Sequence, residues 1–132
     1  MKSAIYTANT TATTLAVGDI IPLGTTIRRY GCNLRQDGNA VTATGRGYYK
    51  ITAVVTAAPT AAGEIGATLL KDGIAVTGAT ASATATGAGD VVTLPITAIV
   101  RNLTDCDSSL LALRLDDSAG QATNVAVTVE KL

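Results

Sequence analysis

Hydrophobic and polar residues alternate with a period of two along most of the chain. Between positions 47 and 55, Tyr49, Ile51, Ala53 and Val55 fall on one side of an extended ribbon, and Tyr48, Lys50, Thr52 and Val54 on the other. That is the spacing at which successive side chains of a β-strand change face. Near the C-terminus Val125, Val127 and Val129 oppose Ala126, Thr128 and Glu130. Thr and Val are branched at Cβ and favour such pleated surfaces. Gly, Thr and Pro interrupt every stretch long enough for an amphipathic helix, so the pattern predicts an all-β chain. About ten short strands are expected, at 3–7, 12–16, 25–30, 39–43, 47–57, 64–71, 74–77, 91–101, 108–115 and 123–131.

Turn signals separate these runs at the spacing of a sandwich or barrel. They are Gly18-Asp19, Asp37-Gly38, Asp72-Gly73 and Gly89-Asp90, and Pro59 closes the fifth run. Asp72-Gly73, between EIGATLLK and IAVTG, is the strongest hairpin signal, because glycine accepts the positive φ that tight hairpins demand. The stretch 77–90, TGATASATATGAGD, is small, polar and low in complexity, and reads as an exposed connector, with a weak edge strand as the alternative. GDIIPL at 18–23 echoes GDVVTL at 89–94, but a repeat architecture needs at least three periods, so the echo is shared turn chemistry.

The later strands are apolar on both sides. Val92, Leu94, Ile96, Ala98 and Val100 form one face, yet Val91, Pro95 and Ile99 interrupt the polarity of the other. Leu111, Leu113 and Leu115 oppose Leu110 and Ala112. A sheet wetted on one side should alternate cleanly, and each such residue that an assembly covers gains roughly 1.5–3 kcal/mol if fully buried. Self-association is therefore expected, with Tyr49, Val91, Ile99, Leu110, Leu111 and Leu113 as candidate contacts between copies.

Composition points the same way. Charged residues make up 15% of the 132 positions and cancel to a net charge of zero, against roughly 25% charged in ordinary soluble domains. Such a surface tends to associate, and it offers no clustered basic face for nucleic acid. Arg28, Arg29 and Arg35 read as strand-end or interface charges. Histidine, phenylalanine and tryptophan are absent, which removes imidazole catalysis, histidine-ligated metals and aromatic stacking platforms. No catalytic residue, cofactor site or metal site is expected. Asp105 and Asp107, or Asp116 and Asp117, are the nearest approach to paired carboxylates, but adjacent strand residues point to opposite faces, and calcium needs six to eight oxygen ligands. Cys32 and Cys106 could be thiols or one bridge; neither lies in a reactive setting. The N-terminus lacks the apolar core of a secretory signal, and no run is long enough to span a membrane.

GRGYYKITAVV, GATLLKDGIAV and GDVVTLPITAIV, followed by a Val-rich final strand, resemble the tumour-necrosis-factor-like jelly roll, the superfamily that includes the globular heads of complement proteins. More narrowly, AIYTANTTA, IRRYGCNL and TNVAVTVEKL resemble small structural proteins of phages and prophages of gut Firmicutes. The resemblance implies an antiparallel sandwich of jelly-roll topology that forms a homotrimer. It also implies a virion protein, made in the bacterial cytoplasm, that decorates or cements a capsid or forms a head fibre, with the major capsid protein or another virion protein as partner. Residues 16–132 would form the single sandwich domain. Residues 1–15 would be an N-terminal docking segment, with Ile5, Tyr6 and Leu15 as candidate contacts. The alternative is an adhesin at a phage tail tip, gripping host glycan through Tyr30 or Tyr48 with Asn33 and Asp37.

Overall fold

The structure, a computed structural model, describes residues 2–132. Its strands are β1 (Ala4–Asn9), β2 (Thr13–Leu15), β3 (Thr25–Tyr30), β4 (Leu34–Asp37), β5 (Ala40–Thr44), β6 (Gly47–Pro59), β7 (Gly63–Lys71), β8 (Ile74–Ala85), β9 (Val92–Asn102), β10 (Ser108–Asp116) and β11 (Gly120–Lys131). They form two antiparallel sheets, one in the order β3-β1-β11-β6-β9 with β2 beside β11, the other in the order β4-β5-β10-β7-β8. The chain crosses between sheets repeatedly, which is jelly-roll topology. Among the described residues there is no helix.

The period-two reading holds along β6, β9, β10 and most of β11, whereas β7 is buried on both faces through its middle and β3 on neither. Tyr49, Ile51, Ala53, Val55, Leu94, Ile96, Leu111, Leu113, Leu115, Val125, Val127 and Val129 all lie between the sheets. Tyr49 is the one aromatic side chain in this interior; the rest is filled by Ala, Val, Leu and Ile. Its hydroxyl lies 2.9 Å from each of the carbonyl oxygens of Thr44 and Gly45, and burial pushes the phenol above its ordinary value. A second polar link joins the sheets: buried Asn102 on β9 donates to the Ala43 carbonyl at 3.0 Å and accepts from Ser109. The Asp72-Gly73 hairpin forms as expected. Both residues have positive φ, 53° and 82°, and Lys71 pairs with Ile74 across the two-residue turn.

Three expectations are corrected. The stretch 77–90 is not a connector: β8 continues to Ala85, and Ala79 and Ala85 are buried. Its residues are small enough to form an edge strand while presenting little but Thr and Ser to water. Leu34–Asp37, unassigned in the sequence, forms β4. Among residues 2–15 the expected N-terminal strand forms as β1, hydrogen-bonded between β3 and β11, but Ile5 and Leu15, expected as docking contacts, are core residues. Tyr6 is the member of that trio that stays exposed.

Thr7 of β1 is fully buried, and its hydroxyl is the buried side-chain polar group left without a hydrogen-bond partner among the described residues. Valine has nearly the same shape and no polar atom to desolvate. Thr7→Val is therefore expected to stabilise the fold, by about 1 kcal/mol, read as a rise in denaturation midpoint with an unchanged slope. A fall in midpoint would show that the hydroxyl is satisfied.

Candidate assembly and docking surfaces

Since one face of each strand is used internally, interaction must draw on what the outer faces present. On the six-stranded sheet the register sets those outer residues in rows. Lys50 lies between Glu130 and Ile99, Thr52 between Thr128 and Thr97, and Val54 between Ala126 and Pro95. On β1, Ala4 stands opposite Glu130, Tyr6 opposite Thr128 and Ala8 opposite Ala126. The result is a surface whose middle is Thr, Ala, Val and Pro, with Lys50 beside Glu130 and with Arg28 and Arg101 on the flanking strands β3 and β9. Ile99 is 58% exposed at one side and Tyr6 38% exposed at the other. Tyr30, on the edge strand β3, extends the patch beside Ala4.

The outer face of the five-stranded sheet differs. Beyond β5, the segment 18–21 continues alongside β10, through Gly18 N–H to Leu115 O at 2.8 Å and Ile21 N–H to Leu113 O at 2.8 Å. This places Ile20 next to Leu110 and Ala112, and with Ala40, Leu70 and Gly73 they line a shallow apolar groove of about 370 Å³. Charged pairs stand near it: Arg114 with Asp116 at 2.8 Å and Arg35 with Asp37 at 3.0 Å. Sequence reading passed over Ile20. Its signal was the adjacent pair Ile20-Ile21, of which a single extended strand can bury only one; Ile21 is buried and Ile20 is 39% exposed.

The candidate contacts between copies therefore divide. Tyr49, Leu111 and Leu113 are core residues of the protomer itself and have no surface to offer a neighbour. Val91, Ile99 and Leu110 are exposed, but Ile99 and Leu110 lie on opposite sheets. Apolarity on both sides of β9 and β10 is real, yet it serves two different surfaces.

Of the four aspartates considered as paired carboxylates, Asp107 and Asp116 are engaged within the fold. The Asp107 carboxylate accepts the backbone N–H groups of Thr104 and Leu103 at 2.9 and 2.8 Å. Those bonds, Thr104's first, hold its pKa below the ordinary 3.8. Asp116 bonds Thr68 and Arg114, while Asp117 sits in the following turn with φ of 70°. Among the described residues no three His, Cys, Asp or Glu side chains converge as a metal site would require. Both cysteines are exposed, and Cys106 is a thiol, so no bridge joins them. Of the residues considered for glycan, Asn33 is held by Ser3 and Thr44 and Asp37 by Thr42 and Arg35. Tyr48 lies under the Arg101 guanidinium, 5.5 Å from the ring centre. Tyr30 remains open. Arg29 donates to the Leu34 carbonyl, which spends part of the basic cluster on joining β3 to β4.

Asp107 has a lowered folded-state pKa, so what its bonds contribute is complete above pH 3.8 and is lost as pH falls through that lower value. Hydrogen exchange at the Leu103 and Thr104 amides is accordingly expected to lose protection on acidification below pH 3.8 while the strands keep theirs. Protection of these two amides at pH 6 that is the same in Asp107→Ala as in wild type would contradict this role.

No family model and no curated protein matches the sequence. Solved structures do match the fold. Murine APRIL superposes with a TM-score of 0.75 at 11% identity, covering 100% of both chains. The Eiger TNF of S. frugiperda gives 0.71 at 9% identity, over 100% of this chain and 92% of its own. The PRD1 vertex protein P5 gives 0.59 at 14% identity, over 98% and 96%. With both sheets and the strand order described above, the chain has the tumour-necrosis-factor-like jelly-roll fold.

Proposed function

We propose that this chain is a non-enzymatic structural protein of a phage particle. It assembles as a homotrimer through the outer face of its six-stranded sheet and decorates or cements the capsid shell, with the major capsid protein or another virion protein as partner. The observation that carries the self-association is that face: an extended surface with Thr, Ala, Val and Pro at its middle, flanked by exposed Ile99, Tyr6 and Tyr30. Ile99 is 58% exposed, so covering it contributes roughly 1–2 kcal/mol per copy, repeated at each contact of a symmetric ring. Homotrimeric assembly is the habit of the superfamily that the sequence resembles, and this chain has its fold. The vertex protein P5 of PRD1 supports placing such a fold on a particle.

With the copies meeting across the six-stranded sheets, the five-stranded sheet and the strand-connecting loops face outward, available to a shell protein. The alternative, a tail-tip adhesin for host glycan, draws on exposed Tyr30 and Tyr48. It is the weaker reading because Asn33 and Asp37, the groups that would orient a sugar, are already bonded within the fold.

Purified protein, incubated with empty capsids of a phage that encodes it and separately with host cells, should sediment with the capsids and leave the cells unlabelled. Ile99→Lys, which places a charge in the assembly face, should lower capsid binding at least tenfold by dispersing the trimer. Labelling of host cells without capsid binding would replace this function with the adhesin.

A further inference from the structure

Within the face assigned to self-association, two charged residues stand side by side. Lys50 on β6 is the register partner of Glu130 on β11. The other outward positions of β1, β6 and β11 around them, Ala4, Tyr6, Ala8, Thr52, Val54, Ala126 and Thr128, carry no charge; the further cations of the face stand on its flanking strands, Arg28 of β3 opposite Tyr6 and Arg101 of β9 opposite Tyr48. Both are exposed. Adjacent though they are, they do not close on each other: among the described residues the ion pairs are Arg35–Asp37 and Arg114–Asp116. When copies cover this face, both charges leave water, and a buried charge is tolerated only with a partner. A patch holding one Lys and one Glu side by side is complementary to itself, because rotation about a symmetry axis brings the cation of each copy to the anion of the next.

We propose that Lys50 of one copy pairs with Glu130 of the following copy, and that this contact sets the rotational register of assembly. The inference rests on the self-association proposed above and adds to it the residues that choose the register. Interface charges act in this way elsewhere, suppressing wrong arrangements more than adding affinity. The apolar surroundings would hold copies together in several offsets; the pair favours one.

The test compares assembly of wild type, Lys50→Glu, Glu130→Lys, the double exchange and an equimolar mixture of the two single variants. Sedimentation at about 0.3 M salt keeps the screening length at about 6 Å, so that net-charge attraction does not mimic a specific contact. Each single variant should need at least a tenfold higher concentration to assemble, and the double exchange should recover. The mixture should assemble better than either of its components. Where unlike chains adjoin in a mixed ring, one junction sets the carboxylate introduced at position 50 against the ammonium introduced at position 130, and the opposite junction restores the native Lys50–Glu130 pair. If the mixture stays as dispersed as its components while the double exchange assembles, the pair acts within one copy and the proposal fails. It also fails if the single variants assemble like wild type. A wild type that does not associate would instead remove the self-association reading itself. Circular dichroism reports whether the variants fold. Should a charge reversal unfold the chain, Lys50→Gln and Glu130→Gln serve in its place. Their combined loss should be no larger than either alone, and strictly additive losses would overturn the pairing.

Discussion

Two sheets share an interior only when the side chains between them fill it, and this chain must do so without phenylalanine or tryptophan. Alternate positions of β6, β9, β10 and β11 are given over to Ala, Val, Leu and Ile, with Tyr49 as the single large ring. Such a core depends on many close contacts between small groups, since dispersion is weak per atom pair and large only in sum. It also leaves polar cross-links a defined place. Tyr49 ties β6 to the turn after β5, and Asn102 ties β9 to β5. The inward face of every long strand is committed to this packing, so whatever the protein does beyond folding must be done by its outer faces.

Those outer faces are unlike each other. The six-stranded sheet presents Thr, Ala, Val and Pro in register, with Lys50 beside Glu130 near its middle and Arg28 and Arg101 on its flanking strands. The uncharged side chains are short enough to let backbones of neighbouring copies approach. The five-stranded sheet carries ion pairs and an apolar groove around Leu110 and Ile20. Under the proposed function the first face meets copies of the chain and the second is left to the shell.

Much of this was legible in the sequence because period-two patterning and turn chemistry are local. The Tyr49–Val55 and Val125–Val129 faces, the Asp72-Gly73 hairpin and the strand end at Pro59 all follow from nearest neighbours along the chain. What was lost depends on contacts between distant residues. Alternation separates two faces of a ribbon without saying which one is inward, so Tyr49, Leu111 and Leu113 were assigned to subunit contacts although they fill the protomer. Ile5 and Leu15 were read as docking residues because nothing in a Thr-rich N-terminus shows that β1 sits between two other strands. In β8, Ala, Ser and Thr give almost no hydrophobic contrast, so a paired edge strand looked like a loop. The charge couple of Lys50 and Glu130 was invisible for the same reason: its members are far apart in sequence and meet only through the β6–β11 register.

The central claim is that the outer face of the six-stranded sheet is covered by further copies of the chain. Light scattering across a dilution series into the low micromolar range tests it most directly. The account predicts a mass of about 40 kDa, three times the 13.3 kDa chain, falling only on strong dilution. A monodisperse 13.3 kDa particle at tens of micromolar would show that water alone satisfies that face, and would contradict the account.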